Sequence, residues 1–182
     1  MAIKTGTYRL GPDDGTLSVR TGRTGAAAKA GHNLLLHVGT WSVLLVAGDD
    51  AAGTSVQLDA DAASLRVREG HGGMQALGDD DRASIEQTID EDVLKKQSIS
   101  FRSTRLEPTA DGAGFRVEGE LSIVGTTRPV TFEIAVDEGG TLRGGMVLKQ
   151  SDWGIKPYST LFGALKVVDE VEVALEASLP AS

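Results

Sequence analysis

The residues best suited to acid–base or metal chemistry in this chain are its three histidines. His32 and His37 lie five positions apart. On a strand that odd spacing sends their side chains to opposite faces, so they cannot share one metal ion. His71 stands in Gly70-His71-Gly72-Gly73, which reads as an exposed hairpin loop. His32 precedes the run Asn33-Leu34-Leu35-Leu36 and has two candidate roles: orienting a ligand at a cavity mouth, or a structural hydrogen bond to a loop carbonyl. Carboxylates are plentiful at Asp59, Asp61, Asp79, Asp80, Asp81, Asp90, Glu91 and Asp92, yet none forms the interleaved calcium loop with a central glycine and final glutamate. With no cysteine, disulfides, thiolate metal sites and cysteine nucleophiles are excluded. Gly-x-Ser-x-Gly is absent, as is a Walker-type glycine loop. The chain is therefore expected to carry no catalytic set, no metal and no cofactor. An enzyme using His32 with a carboxylate is the weakest functional reading.

The elements that would position any site are strands. In 115–123, Phe115, Val117, Leu121 and Ile123 share one face, while Arg116, Glu118, Glu120 and Ser122 share the other. Val130, Phe132, Ile134 and Val136 repeat the pattern, as do Val171, Val173, Leu175 and Ala177. Shorter sets recur at Leu17 and Val19; Trp41, Val43 and Leu45; Val56 and Leu58; Leu65 and Val67; Ile99 and Phe101; and Leu142, Met146 and Leu148. Strands with one apolar and one charged face belong to an antiparallel sheet wet on one side. Gly-Asp and Gly-Pro turn signals separate them. Many strands at short spacing predict a sandwich or a barrel, and sequential hairpins favour an up-and-down closed sheet without free edges. Gly144-Gly145 within a strand pattern predicts a bend or bulge. One segment departs from this period. Between Asp79-Asp80-Asp81 and Lys95-Lys96, Ile85, Ile89 and Val93 recur every fourth residue, predicting an amphipathic helix with acids and lysines at the ends its dipole prefers.

The 182 residues suit one domain, 1–182, with its core at about 6–179. A formal net charge of -8 and a sequence pI of about 4.9 disfavour nucleic acid and an anionic membrane surface as partners. No leader pattern is visible at the start, so the chain is expected to be cytoplasmic. No apolar run reaches the roughly 18 residues of a membrane helix.

Four motifs carry a family resemblance. Asp152-Trp153-Gly154-Ile155-Lys156-Pro157-Tyr158-Ser159, continued by Gly163-Ala164-Leu165-Lys166-Val167 and Asp169-Glu170-Val171-Glu172-Val173, resembles the C-terminal signature of the YceI-like family. Gly119-Glu120-Leu121-Ser122-Ile123-Val124-Gly125-Thr126-Thr127-Arg128-Pro129-Val130 resembles its strand–turn–strand hallmark. Gly31-His32-Asn33-Leu34 and Ile99-Ser100-Phe101-Arg102-Ser103-Thr104 are similar to two further strands. The resemblance implies an all-β fold, an extended antiparallel lipocalin-like β-barrel with one inserted amphipathic α-helix. It also implies an apolar tunnel for a long isoprenoid chain, a polyprenyl quinone or polyprenyl phosphate. Many members of the family carry a secretory leader, and none is expected here. A histidine-leucine pair common near the end of the helix is here Val93-Leu94.

A barrel of about eight strands is just wide enough to be filled by side chains or to hold one slim ligand. The inward set could line a tunnel or close as a dry core. The expected ligand contacts are His32, Leu34, Phe101, Leu121, Ile123, Phe132, Met146, Trp153, Tyr158 and Phe162. Trp153 and Tyr158 could either touch the ligand or plug one barrel end. The leading reading is a non-catalytic carrier of an apolar small molecule, an isoprenoid or fatty chain. The alternative is a solid-cored interaction protein that docks a partner, a homodimer included.

Overall fold

A computed structural model describes residues 3–180. The alternation read from the sequence becomes a curled sheet of eleven antiparallel strands. In chain order they are β1 (Gly6–Leu10), β2 (Gly15–Thr21), β4 (Asn33–Val38), β5 (Trp41–Ala47), β6 (Ser55–Ala60), β7 (Leu65–His71), β8 (Ile99–Pro108), β9 (Gly114–Ile123), β10 (Thr126–Val136), β11 (Thr141–Lys149) and β14 (Glu170–Ser178). A small second sheet joins β12 (Ser159–Thr160), β13 (Leu165–Val167) and β3 (Arg23–Thr24). The spatial order of the large sheet is β1-β5-β6-β8-β9-β10-β11-β14-β2-β4-β7. This is the expected lipocalin-like barrel, with the apolar face of every strand turned inward. Along β9, Val117, Leu121 and Ile123 are buried while Arg116 and Glu120 are exposed.

The expectation of a closed ladder needs correcting. No ladder joins β1 to β7 among the described residues, so the hydrogen-bonded ribbon stops short of a full circle. The two ends meet instead at a double corner. β4 and β5, each next to an opposite end of the sheet, are linked by Gly39-Thr40 alone. The β6–β7 connection runs beside that link. Gly39 N–H donates to Ser64 O at 2.8 Å, Asp61 N–H to Thr40 O at 3.0 Å, and Thr40 N–H to Ser64 Oγ at 2.9 Å. These bonds satisfy backbone that a full ladder would otherwise pair.

The helix blunts the remaining edge. α1 (Asp79–Thr88) continues into one π turn at Ile89–Val93, where Leu94 N–H donates to Ile89 O at 2.8 Å. From α1, Glu86 Oε1 accepts from Val67 N–H at 2.8 Å, and Arg82 donates to the carbonyls of Val67 and Arg68 at 3.3 and 3.0 Å. The open edge of β7 is thus occupied by side chains, one of the ways natural sheets avoid edge pairing.

Two local expectations also change. Register passes through Gly144 and Gly145 without a shift on either side. The bulges fall at Leu35/Leu36 and Ser103/Arg105 instead. His71 ends β7 opposite Asn33 and holds Glu69 at 2.7 Å.

Candidate functional site

The barrel is hollow. An inner chamber of about 170 Å³ is walled by the inward residues of nine strands. Leu17 and Val19 come from β2, Val43 and Leu45 from β5, Leu121 and Ile123 from β9, and Val173 and Leu175 from β14. No polar side chain reaches it. Glycine shapes this wall. A Cβ on Gly119 would stand 2.5 Å from the Phe101 ring, which lies across that position. The ring therefore reaches Phe132 over β9, edge to face, with centroids 5.2 Å apart at 61°. Gly144 likewise leaves its space to Ile134, whose methyl would stand 2.9 Å from an added Cβ.

An outer chamber of about 330 Å³ shares Val19, Ile99, Ile123, Leu148 and Val173 with the inner one, so the two adjoin at these side chains. Its second wall is the helix, through Ile85, Ile89 and Val93. Its rim holds Ile155, Tyr158 and Val167 of the small-sheet region. Polar groups enter only here, as Thr21, Ser84, Thr88, Gln150 and Tyr158, and none carries a charge at neutral pH. Gln150 is buried and donates through Nε2 to Val168 O at 3.1 Å. Several inward apolar residues, among them Val19, Phe132, Met146 and Val173, keep residual accessible surface although they face the interior. That is the signature of a wall with no atoms in front of it.

Seven residues expected at the site line these chambers: Phe101, Leu121, Phe132 and Met146 the inner one, Ile123 both, and Leu34 and Tyr158 the outer one. Three stand elsewhere. His32 faces away from the chambers, in a shallow hollow of about 510 Å³ beside the 72–78 loop, with Nε2 2.6 Å from Gln75 O. The loop-carbonyl role is therefore the one present. Trp153 is 4% exposed and its indole N–H donates to Leu121 O at 2.9 Å, so it buttresses β9 from outside the chambers. Phe162 is fully exposed at 112%. The helix stripe was expected to pack on the barrel wall or one open end, but its residues were not among the expected contacts. The fourfold spacing of Ile85, Ile89 and Val93 was visible, but nothing local says what that stripe covers. Val19, Leu148 and Val173 were on the apolar faces yet gave no sign of standing where the chambers join.

The charged chemistry lies on the outside. A hollow of about 1130 Å³ is an open groove on the wet face, lined by His37, Arg116, Glu133, Arg143 and Glu176 among others. Arg143 is held there between Asp137 and Glu176, each at 2.9 Å. Burial, with Arg68 nearby, pushes His37 below the usual imidazole range. Neither chamber has a carboxylate, imidazole, ammonium or guanidinium in its lining. Among the described residues no cluster of His, Asp and Glu suits a metal ion. What the arrangement can do is take apolar matter out of water and meet a neutral polar group near the rim.

A family model described as the YceI-like domain matches residues 14–179. Among solved structures, Burkholderia cenocepacia BcnA aligns at 21% identity over 91% of this chain and 96% of that one, with a TM-score of 0.60. The Campylobacter jejuni YCEI protein aligns at 12% identity over 81% and 85%, with a TM-score of 0.56. A mutant of that protein, crystallised with a monobromobimane guest, gives 0.57. These likenesses establish a shared fold. No curated protein matches the chain.

Proposed function

The chain belongs to the YceI-like family, and on that premise we propose that it is a non-catalytic carrier which holds one isoprenoid-type chain inside its barrel. The carrying observation is the pair of adjoining chambers, the inner one wholly apolar. An engineered apolar cavity of about 150 Å³ stays dry and accepts benzene. A 170 Å³ chamber of the same character takes the tip of a tail, about one or two isoprene units. The next units lie along Val19, Ile123, Leu148 and Val173 and under the helix.

The head group then rests at the outer chamber. Gln150, Thr21, Thr88 and Tyr158 offer neutral donors and acceptors there, and no cation faces inward. A phosphate brought into this lining would lose its hydration without a counter-charge. The reading therefore favours a polyprenyl quinone over a polyprenyl phosphate, with a phosphate head left outside the rim.

Organic extraction of the purified protein followed by mass spectrometry tests the reading. So does thermal unfolding of delipidated protein with a short-tailed polyprenyl quinone. At a hundredfold excess over Kd a ligand that binds only the folded state adds about 2.7 kcal/mol. At about 2–4 °C per kcal/mol for a chain of this size, the midpoint rises by roughly 5–11 °C. Protein with no co-purifying lipid and no such rise refutes the carrier.

A further inference from the structure

The net charge of -8 hides a strong segregation. Two stretches, 21–31 and 154–168, hold Arg23, Lys29, Lys156 and Lys166 and no aspartate or glutamate. The fold brings them together. β13 pairs with both β12 and β3, Ala27 N–H donates to Ala164 O at 2.8 Å, and Val168 N–H donates to Gly22 O at 3.0 Å. Of the acids next in sequence, Asp169 is engaged with Ser151 and Glu170 lies near Lys149 at 3.9 Å, while Asp152 stands exposed two positions before the second stretch.

At the end of this acid-free module stands an apolar tip. Leu161 and Phe162 link β12 to β13 and are 53% and 112% exposed. Leu161, Phe162 and Gly163 all have left-handed backbone, with φ of 51°, 55° and 85°. For two non-glycine residues in succession that conformation is sterically costly. The fold bears this cost to present two large apolar side chains to solvent. Lys166 runs beside them, its Cε 3.5 Å from where a Gly163 Cβ would be. The tip also adjoins the ligand site: Tyr158 and Val167, joined by Val167 N–H to Tyr158 O at 2.9 Å, lie on the outer-chamber rim.

We propose that the small sheet is a membrane-docking face, with Leu161 and Phe162 entering the boundary of an anionic bilayer while Lys29, Lys156 and Lys166 meet its head groups. An exposed aromatic flanked by lysines matches the acyl–headgroup boundary, apolar below and anionic above. Docking in this orientation sets the chamber rim against the membrane, where an isoprenoid chain can pass without crossing water. The acidic remainder of the molecule keeps the other faces off the same surface. The inference shares the outer chamber with the carrier reading but does not need a lipid inside it.

Flotation with vesicles of equimolar phosphatidylcholine and phosphatidylglycerol, against phosphatidylcholine alone, tests it. Wild type is expected to float with the anionic vesicles, less with neutral ones, and less again at high salt. Phe162→Asp and the pair Lys156→Glu/Lys166→Glu are each expected to lower binding about tenfold or more, since each basic residue near an anionic surface contributes about 1 kcal/mol. All replaced side chains are exposed, so unfolding midpoints should match wild type. Phe162→Trp gives a second reading, a blue-shifted emission on anionic vesicles. Wild type that stays unbound, Phe162→Asp that floats like wild type, or an unshifted Phe162→Trp spectrum overturns the docking face. Lipid extraction and the quinone unfolding assay on the same purified protein separate the two proposals: protein that is lipid-free and shows no quinone-induced rise yet still floats refutes the carrier and leaves the docking face standing.

Discussion

Substituting Val173 by Phe sets a hollow barrel against a tight one through the sign of a stability change. Val173 projects from β14 between Val19 and Met146 on the neighbouring strands, at the join of the two chambers. An inner void of about 170 Å³ forgoes about 4 kcal/mol of packing, at about 24 cal/mol per Å³. Phenylalanine adds about four carbons to the side chain, and at about 0.8 kcal/mol per buried methylene the ceiling on the gain is about 3 kcal/mol. With imperfect fit, about 1–2 kcal/mol should appear in the delipidated protein, a rise of roughly 2–8 °C in unfolding midpoint. The same ring should block the passage, so a short-tailed polyprenyl quinone that raises the wild-type midpoint should leave the variant's unchanged. In a core already at normal density the extra ring would cost about 1–3 kcal/mol instead. Scanning calorimetry with and without the quinone reads both quantities. A variant that loses stability, or still responds to the ligand like wild type, refutes the reasoning.

Trp153→Phe keeps one aromatic ring, removes the other from a buried site, and leaves the buried Leu121 carbonyl without its indole donor. The expected loss is about 1–3 kcal/mol in chemical denaturation with the quinone response retained, because Trp153 stands outside both chambers. Asp137 accepts from Thr141 N–H, then from Arg143 and Gly139 N–H, which hold its carboxyl below the usual range. A depressed folded-state value means a stabilising contribution present above the unfolded value of 3.8 and lost as pH falls through the folded one. Carboxyl NMR titration should place the Asp137 midpoint below 3.8, and Asp137→Asn should flatten the acid limb of stability against pH.

Much of the barrel was legible because a strand's facing is a local property. Once Leu121 and Ile123 alternate with Glu120 and Ser122, no tertiary information is needed to turn the former inward. The helix was legible for the same reason. The three residues that fell outside the chambers sit where no period constrains them. His32 precedes its strand by one residue, Trp153 lies in a single helical turn after β11, and Phe162 occupies a left-handed turn. Apolar type alone suggested an inward position for Phe162, yet a side chain in a link between two short strands goes where the backbone dihedrals send it.

Taken alone, the order of residues determined the inward face of the patterned strands, the amphipathic helix and the absence of a cysteine or a nucleophile motif, but not the strand count, since the barrel of about eight strands expected becomes a large sheet of eleven. The folded chain decided that the barrel stays unfilled, that α1 walls its outer half, and that the acid-free segments 21–31 and 154–168 adjoin in an acidic molecule. Those outcomes depend on sheet curvature and on pairings between distant segments, such as Lys166 with Thr24, and no local pattern encodes either.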